Sequence, residues 1–94
     1  MYGLIAKITS APNECEKLIN ILIEGSKNMP GNISYVVSKD NADANGIWIT
    51  EIWENKQFHS DSLKLDSVQQ AISKGKSLIA GFESRAEVTP VLDS

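Results

Sequence analysis

Ninety-four residues, 41% of them hydrophobic and 22% charged, fit one folded domain over residues 1–94 and exclude a disordered chain or an enzyme with a separate cofactor domain. The net charge is -3, and the nine lysines and arginines are scattered singly apart from Lys74 and Lys76, so no basic stripe exists for nucleic acid. The single cysteine excludes an intramolecular disulfide, no apolar run approaches the ~18 residues of a membrane span, and Met-Tyr-Gly-Leu-Ile-Ala lacks the charged start of a signal peptide, which makes the cytoplasm the expected location.

Residues 2 to 9 alternate, with Tyr2, Leu4, Ala6 and Ile8 on one face and Gly3, Lys7 and Thr9 on the other, as in a half-buried strand. Ile5 is the apolar exception on the second face. After the break at Ser10-Ala11-Pro12, Asn13 and Glu16 have capping-box spacing, and Cys15, Leu18, Ile19, Leu22 and Ile23 recur at helical period, predicting a helix over 13–27 that stops before Pro30-Gly31. Period two returns with Ile33, Tyr35 and Val37, and a polar hairpin connection ends near Asn45-Gly46.

The strand from Ile47 to Glu54 is apolar on both faces. Ile47, Ile49 and Trp53 share one side with Glu51, while Trp48 and Ile52 lie on the other, as in a strand covered twice. Asn55 caps a short helix reaching about Leu63, and Asp66 with Gln69 has the spacing to cap another carrying Val68, Ala71, Ile72 and Leu78. A last strand, Gly81 to Thr89, alternates Phe82, Ser84, Ala86 and Val88 against Glu83, Arg85 and Glu87. The order β-α-β-β-α-α-β predicts an α+β sandwich of the ferredoxin-like kind with helices on one face. Bare Trp48 and Ile52 on the other face, beside Val36, would form an exposed apolar patch, which predicts an isologous homodimer with the two sheets face to face.

Few residues carry chemistry. One histidine and one cysteine cannot build a zinc cluster. No Gly-rich strand-to-helix turn is present, and Gly75-Lys76-Ser77 falls at a helix end without Walker spacing, so no metal or nucleotide cofactor is expected. Cys15 is in phase with the apolar helix face and flanked by Glu14 and Glu16, which disfavour a thiolate; it reads as a packing thiol. His59, the only side chain that titrates near neutrality unaided, is either a general acid-base group or a packing histidine at an apolar edge. Glu51 is either an enclosed carboxylate with a raised pKa or one arm of a salt bridge, for instance to Arg85. Trp48, Trp53, Tyr35, Phe58 and Phe82 either fill the core or converge on a flat pocket.

The stretch Trp48-Ile49-Thr50-Glu51-Ile52-Trp53-Glu54-Asn55, with Phe58-His59 and Ser62-Leu63-Lys64-Leu65 after it, resembles the antibiotic biosynthesis monooxygenase family. Gly31-Asn32-Ile33-Ser34-Tyr35, Val68-Gln69-Gln70-Ala71-Ile72 and Gly75-Lys76-Ser77-Leu78-Ile79-Ala80-Gly81-Phe82 are similar to its quinol monooxygenase branch. The resemblance implies a dimeric α+β barrel with a cavity between sheet and helices. It also implies oxygenation of small quinol-like or polycyclic aromatic substrates by dioxygen without flavin, haem or metal. In that reading His59 and Glu51 are catalytic, and Trp53, Tyr35, Phe58 and Ser62 line the substrate. Many members carry histidine where this chain has Ser62, which leaves acid-base work to His59 or Glu51. Haem-degrading relatives use tryptophan and histidine where this chain has Ser62 and Ile72, so haem is not the expected substrate. The same fold also serves isomerases and signal-molecule processing enzymes, and a non-oxygenating protein that binds or isomerises a small metabolite is the alternative.

Overall fold

The computed structural model describes residues 1–91. Four strands, β1 (Tyr2–Ser10), β2 (Asn32–Lys39), β3 (Gly46–Trp53) and β4 (Ile79–Val88), alternate with α1 (Cys15–Gly25), α2 (Lys56–Ser62) and α3 (Asp66–Gly75), and a single 3-10 turn, Lys76–Leu78, leads into β4. The strands form one antiparallel sheet in the order β2-β3-β1-β4. This is the ferredoxin-like α+β fold expected from the element order.

Pairing across the sheet shows which side chains share a face. Leu4, Ala6 and Ile8 of β1 stand opposite Glu51, Ile49 and Ile47 of β3, while Tyr35 and Val37 of β2 stand opposite Glu51 and Ile49. This is the helix side. Ile8, Ile47 and Ile49 pack there with Leu18 and Ile19 of α1 as the core. The other face carries Ile5, Trp48 and Ile52, half-buried, with Val36 and Val88 more exposed, so β3 is apolar on both sides as its sequence indicates. Trp48 is partly tied down, its Nε1 donating to Asp40 Oδ2 at 2.9 Å while the Lys7 ammonium lies 5.9 Å from its ring centre.

The departures from expectation are local and have physical causes. Asn13 does not cap α1: its φ of 68° lies in the left-handed region, the helix begins two residues later, and Glu14 occupies the N-cap position without a side-chain hydrogen bond. Asp66 is already inside α3, whose N-cap is Leu65; the Gln69 side chain donates instead to the Leu63 carbonyl. Asn55 does cap α2, accepting from the Phe58 N–H at 3.0 Å.

Three extra residues interrupt the edge strands, Ile33 in β2 and Ala80 and Glu83 in β4. Pairing of β2 with β3 jumps between Asn32 and Ser34, which leaves Ile33 out of the ladder and 46% exposed rather than in phase with Tyr35. Pairing of β4 with β1 jumps from Lys7↔Ser84 to Ile8↔Phe82, so Glu83 is the extra residue and Phe82 faces the helices, opposite to the side occupied by Ser84, Ala86 and Val88.

The turn before β2 sets the position of α2. Gly31 has a φ of 77°, which an L side chain tolerates poorly. Any Cβ there would enter the Phe58 ring, and its carbonyl accepts from the Glu54 N–H at 2.9 Å. Gly31→Ala is therefore expected to destabilise the fold by about 2 kcal/mol or more, lowering the melting temperature by roughly 10 °C. A thermal melt within about 2 °C of wild type would contradict this account of the turn.

Candidate active site

Helices cover the sheet incompletely. Between the two layers lies a cavity of about 610 Å³, within the ~300–1,000 Å³ usual for small-molecule sites. Its floor includes Tyr35 from β2, Ile49 and Glu51 from β3, and Ile79 and Phe82 from β4; its roof includes Leu18 and Leu22 of α1, His59 and Ser62 of α2, and Val68 and Ile72 of α3. The walls are mainly apolar, with Glu51, His59, Tyr35 and Ser62 as polar groups among them.

Four of the six residues expected to form the site thus reach one cavity. Trp53 and Phe58 do not line it. Trp53 is fully buried behind the wall, its Nε1 donating to Glu51 Oε1 at 3.1 Å and its ring lying edge-on to His59 with centroids 5.6 Å apart. The Phe58 ring packs over Gly31. Of the five aromatics considered together, only Tyr35 and Phe82 line the cavity. Of the two alternatives for Glu51, the salt bridge to Arg85 is not formed among the described residues; Arg85 pairs with Glu87 at 3.7 Å.

Burial raises the pKa of Glu51 above the ordinary carboxylate value, against the smaller opposing effects of the Trp53 hydrogen bond and the Arg85 charge. Desolvation thus outweighs both favourable interactions. His59 moves the other way: burial lowers its pKa, helped by Arg85 and Lys56 and opposed by Glu87, so the imidazole is neutral and able to accept a proton at pH 7. Burial, with the Glu51 charge second, pushes the Tyr35 hydroxyl far above its usual value, leaving it a neutral donor. Ser62 Oγ donates to the His59 carbonyl at 2.6 Å, which holds the serine against its own helix.

Several residues of the site were not legible as such. Met29, Val68 and Ile72 line the cavity, although their pattern reads only as apolar helix face or chain break. Ile72 is still 49% exposed, so the apolar face of α3 borders open space where a filled core would be expected. Tyr2 lies 5.7 Å from His59 between ring centres, and its enclosed hydroxyl has no hydrogen-bond partner among the described residues.

A four-stranded antiparallel sheet, helices on one face and an apolar cavity with a few polar groups between them define a ferredoxin-like protein with room for a small molecule. The sequence model of the antibiotic biosynthesis monooxygenase family matches residues 1–74, and the chain belongs to that family. A solved structure from Chloroflexus aurantiacus J-10-fl, described as a candidate antibiotic biosynthesis monooxygenase, is 46% identical, with a TM-score of 0.97 over 99% of this chain and 95% of that one. Similarly described structures share the fold at low identity. One from Deinococcus radiodurans is 20% identical with a TM-score of 0.80, covering 100% of this chain and 96% of that one. One from Nitrosomonas europaea is 14% identical with a TM-score of 0.79, covering 94% of each. No protein with a curated description matches the chain in sequence. No helix among the described residues is long and apolar enough to cross a membrane.

The Glu51 shift predicts a pH signature of stability. With its folded pKa above the ordinary 4.5, the native state keeps a proton that the unfolded chain has released, so the stability associated with Glu51 is complete below about 4.5 and is lost as pH rises through the folded value. Glu51→Gln, which can still accept from Trp53, should match wild type at pH 4 and withstand more urea at pH 7. Parallel urea midpoints at the two pH values would remove the case for a buried, raised carboxylate.

Proposed function

We propose that the protein is a cofactor-independent monooxygenase that oxidises small quinol-like or polycyclic aromatic substrates with dioxygen and works as a homodimer. The observation that carries this reading is the pairing, in one largely apolar cavity, of a carboxylate and an imidazole whose environments move their pKa values in opposite directions. Titratable groups perturbed by desolvation inside a cleft mark candidate sites of proton transfer.

The substrate supplies the electrons. A quinol hydroxyl gives its proton to His59, and the electron-rich ring passes an electron to dioxygen. The radical pair then closes as a C–O bond, His59 returns its proton to the resulting peroxide, and the hydroperoxide loses the ring hydrogen and its outer oxygen as water, leaving a carbonyl. One oxygen atom stays in the product, the other departs in water, and no other reductant is consumed. The chain's part is to bind, to move the proton and to keep bulk water from the intermediates.

His59 is the better first base on magnitudes. Moving a proton from a phenol with pKa near 10 costs about 5 kcal/mol to an ordinary histidine and about 8 kcal/mol to an ordinary glutamate. Burial, which raises the pKa of Glu51 and lowers that of His59, narrows that difference, but one Glu51 oxygen is already engaged by Trp53, which suits the carboxylate to accepting a substrate hydrogen bond. Tyr35, held as a neutral donor, faces the same space, and Ser62 forms part of the wall. In this reading Trp53 and Phe58 support the site from behind.

The dimer rests on the face away from the helices, where Ile5, Trp48, Ile52, Val36 and Val88 gather and a second sheet would cover them. Light scattering at micromolar concentration is expected to give twice the chain mass; a stable monomer would contradict that part. For the chemistry, an oxygen electrode with a panel of hydroquinones should record uptake, and His59→Ala should lower turnover at least about tenfold and flatten the pH dependence near 6 to 7. Ligand binding without oxygen uptake would favour the non-oxygenating metabolite binder or isomerase. Full activity in His59→Ala with an unchanged pH profile would pass the base role to Glu51 or to the substrate's own acidity.

A further inference from the structure

We propose that Phe82 selects ligands of several fused rings over single-ring ones, a role that rests on reading the cavity as an aromatic-substrate site. Strict alternation along β4 would turn Phe82 to the face away from the helices with Ser84, Ala86 and Val88. The extra residue at Glu83 reverses this, pairing Phe82 with the core residue Ile8 and aiming it toward the helices. Bulges on edge strands commonly re-aim a side chain in this way beside a binding site. The bulge is fastened from the neighbouring strand, Thr9 Oγ1 donating to Glu83 Oε1 at 2.8 Å.

The phenyl ring so aimed lines the cavity yet is 80% exposed, which places it at the mouth. An exposed phenylalanine forgoes the burial that normally draws this residue inside. Leu63 and Ile72, also lining the cavity and about half exposed, add apolar surface from the helix layer to the same cavity. A flat ligand entering between the layers covers all three.

Ring count follows from the sheet spacing. Glu51 pairs with Leu4 and Phe82 with Ile8, on opposite sides of β1. The two backbones are therefore four residues apart along the strand and two strands apart across the sheet, roughly 16 Å at standard strand dimensions. A single phenol ring held by hydroxyl contacts at Glu51 and His59 leaves the mouth empty. A ligand of three fused rings, held at the same end, extends to Phe82 and stacks on it.

The test measures binding, independently of turnover, by quenching of tryptophan fluorescence in the full chain with 2,6-dihydroxyanthraquinone and with hydroquinone. Phe82→Ala should raise the Kd of the three-ring probe about tenfold and that of hydroquinone less than twofold, while Phe82→Tyr, which keeps the ring, should bind both within about twofold of wild type. Equal losses for both probes, or no loss for either, would overturn the role of Phe82 and leave the cavity reading standing. Failure of wild type to bind either probe would overturn the cavity reading and this proposal with it. Light scattering on the same variants completes the test: conversion of a dimer to a monomer by Phe82→Ala would assign the ring to a subunit contact and overturn the proposal.

Discussion

The hydrogen bond from the Trp53 indole to Glu51 determines how the rest of the site is arranged. Trp53 ends β3 between Tyr2 and Asn32 and is completely buried, so its N–H must find an acceptor inside the protein. Glu51, two residues earlier on the same face, provides it. The bond draws a carboxylate under the helix layer, where a hydrogen bond to a charged group contributes about 1.5–3 kcal/mol. Burial nonetheless raises the Glu51 pKa, the indole hydrogen bond opposing that shift only in part. The same indole packs against the His59 ring in a T-shaped arrangement, centroids 5.6 Å apart, so one buried side chain adjoins both titratable groups.

The helix layer leaves space above these groups because its anchors lie at the margins. Gly25 lets α1 approach Ala71 of α3 so closely that a Cβ would collide there. Asn55 and the Phe58–Gly31 contact hold α2 at the other margin, over the end of β3. Neither contact brings large side chains across the middle, where Val68, Ile72 and Leu22 border the cavity. The protein keeps apolar surface uncovered at this point that a simple two-layer sandwich would bury, and that surface is available to an apolar ligand.

Much of this was legible in the sequence because period-two and helical patterns report directly on which faces are buried. The two-sided pattern of β3, the Asn55 cap and the singular His59 and Glu51 all follow from residue type and spacing. What was not legible depends on single extra residues and on backbone conformation. Ile33 and Glu83 leave the ladder and reverse the faces around them, and no alternation rule shows where an insertion falls. Asn13 spends its conformational freedom on a left-handed turn before α1 rather than on a cap. Trp53 and Phe58 carry the residue types of a pocket wall, but whether an aromatic lines a cavity or supports it from behind is settled by tertiary packing against Glu51 and Gly31.

The most direct measurement of the central claim is a crystal structure of the protein with 1,4-dihydroxynaphthalene bound under anaerobic conditions, where the substrate cannot turn over. The account predicts that the fused ring lies between sheet and helices, with one hydroxyl within about 2.6–3.2 Å of His59 or Glu51 and the other ring directed toward the mouth. A naphthalene ring bound outside this cavity, or inside it with both hydroxyls turned away from His59 and Glu51, would contradict the account.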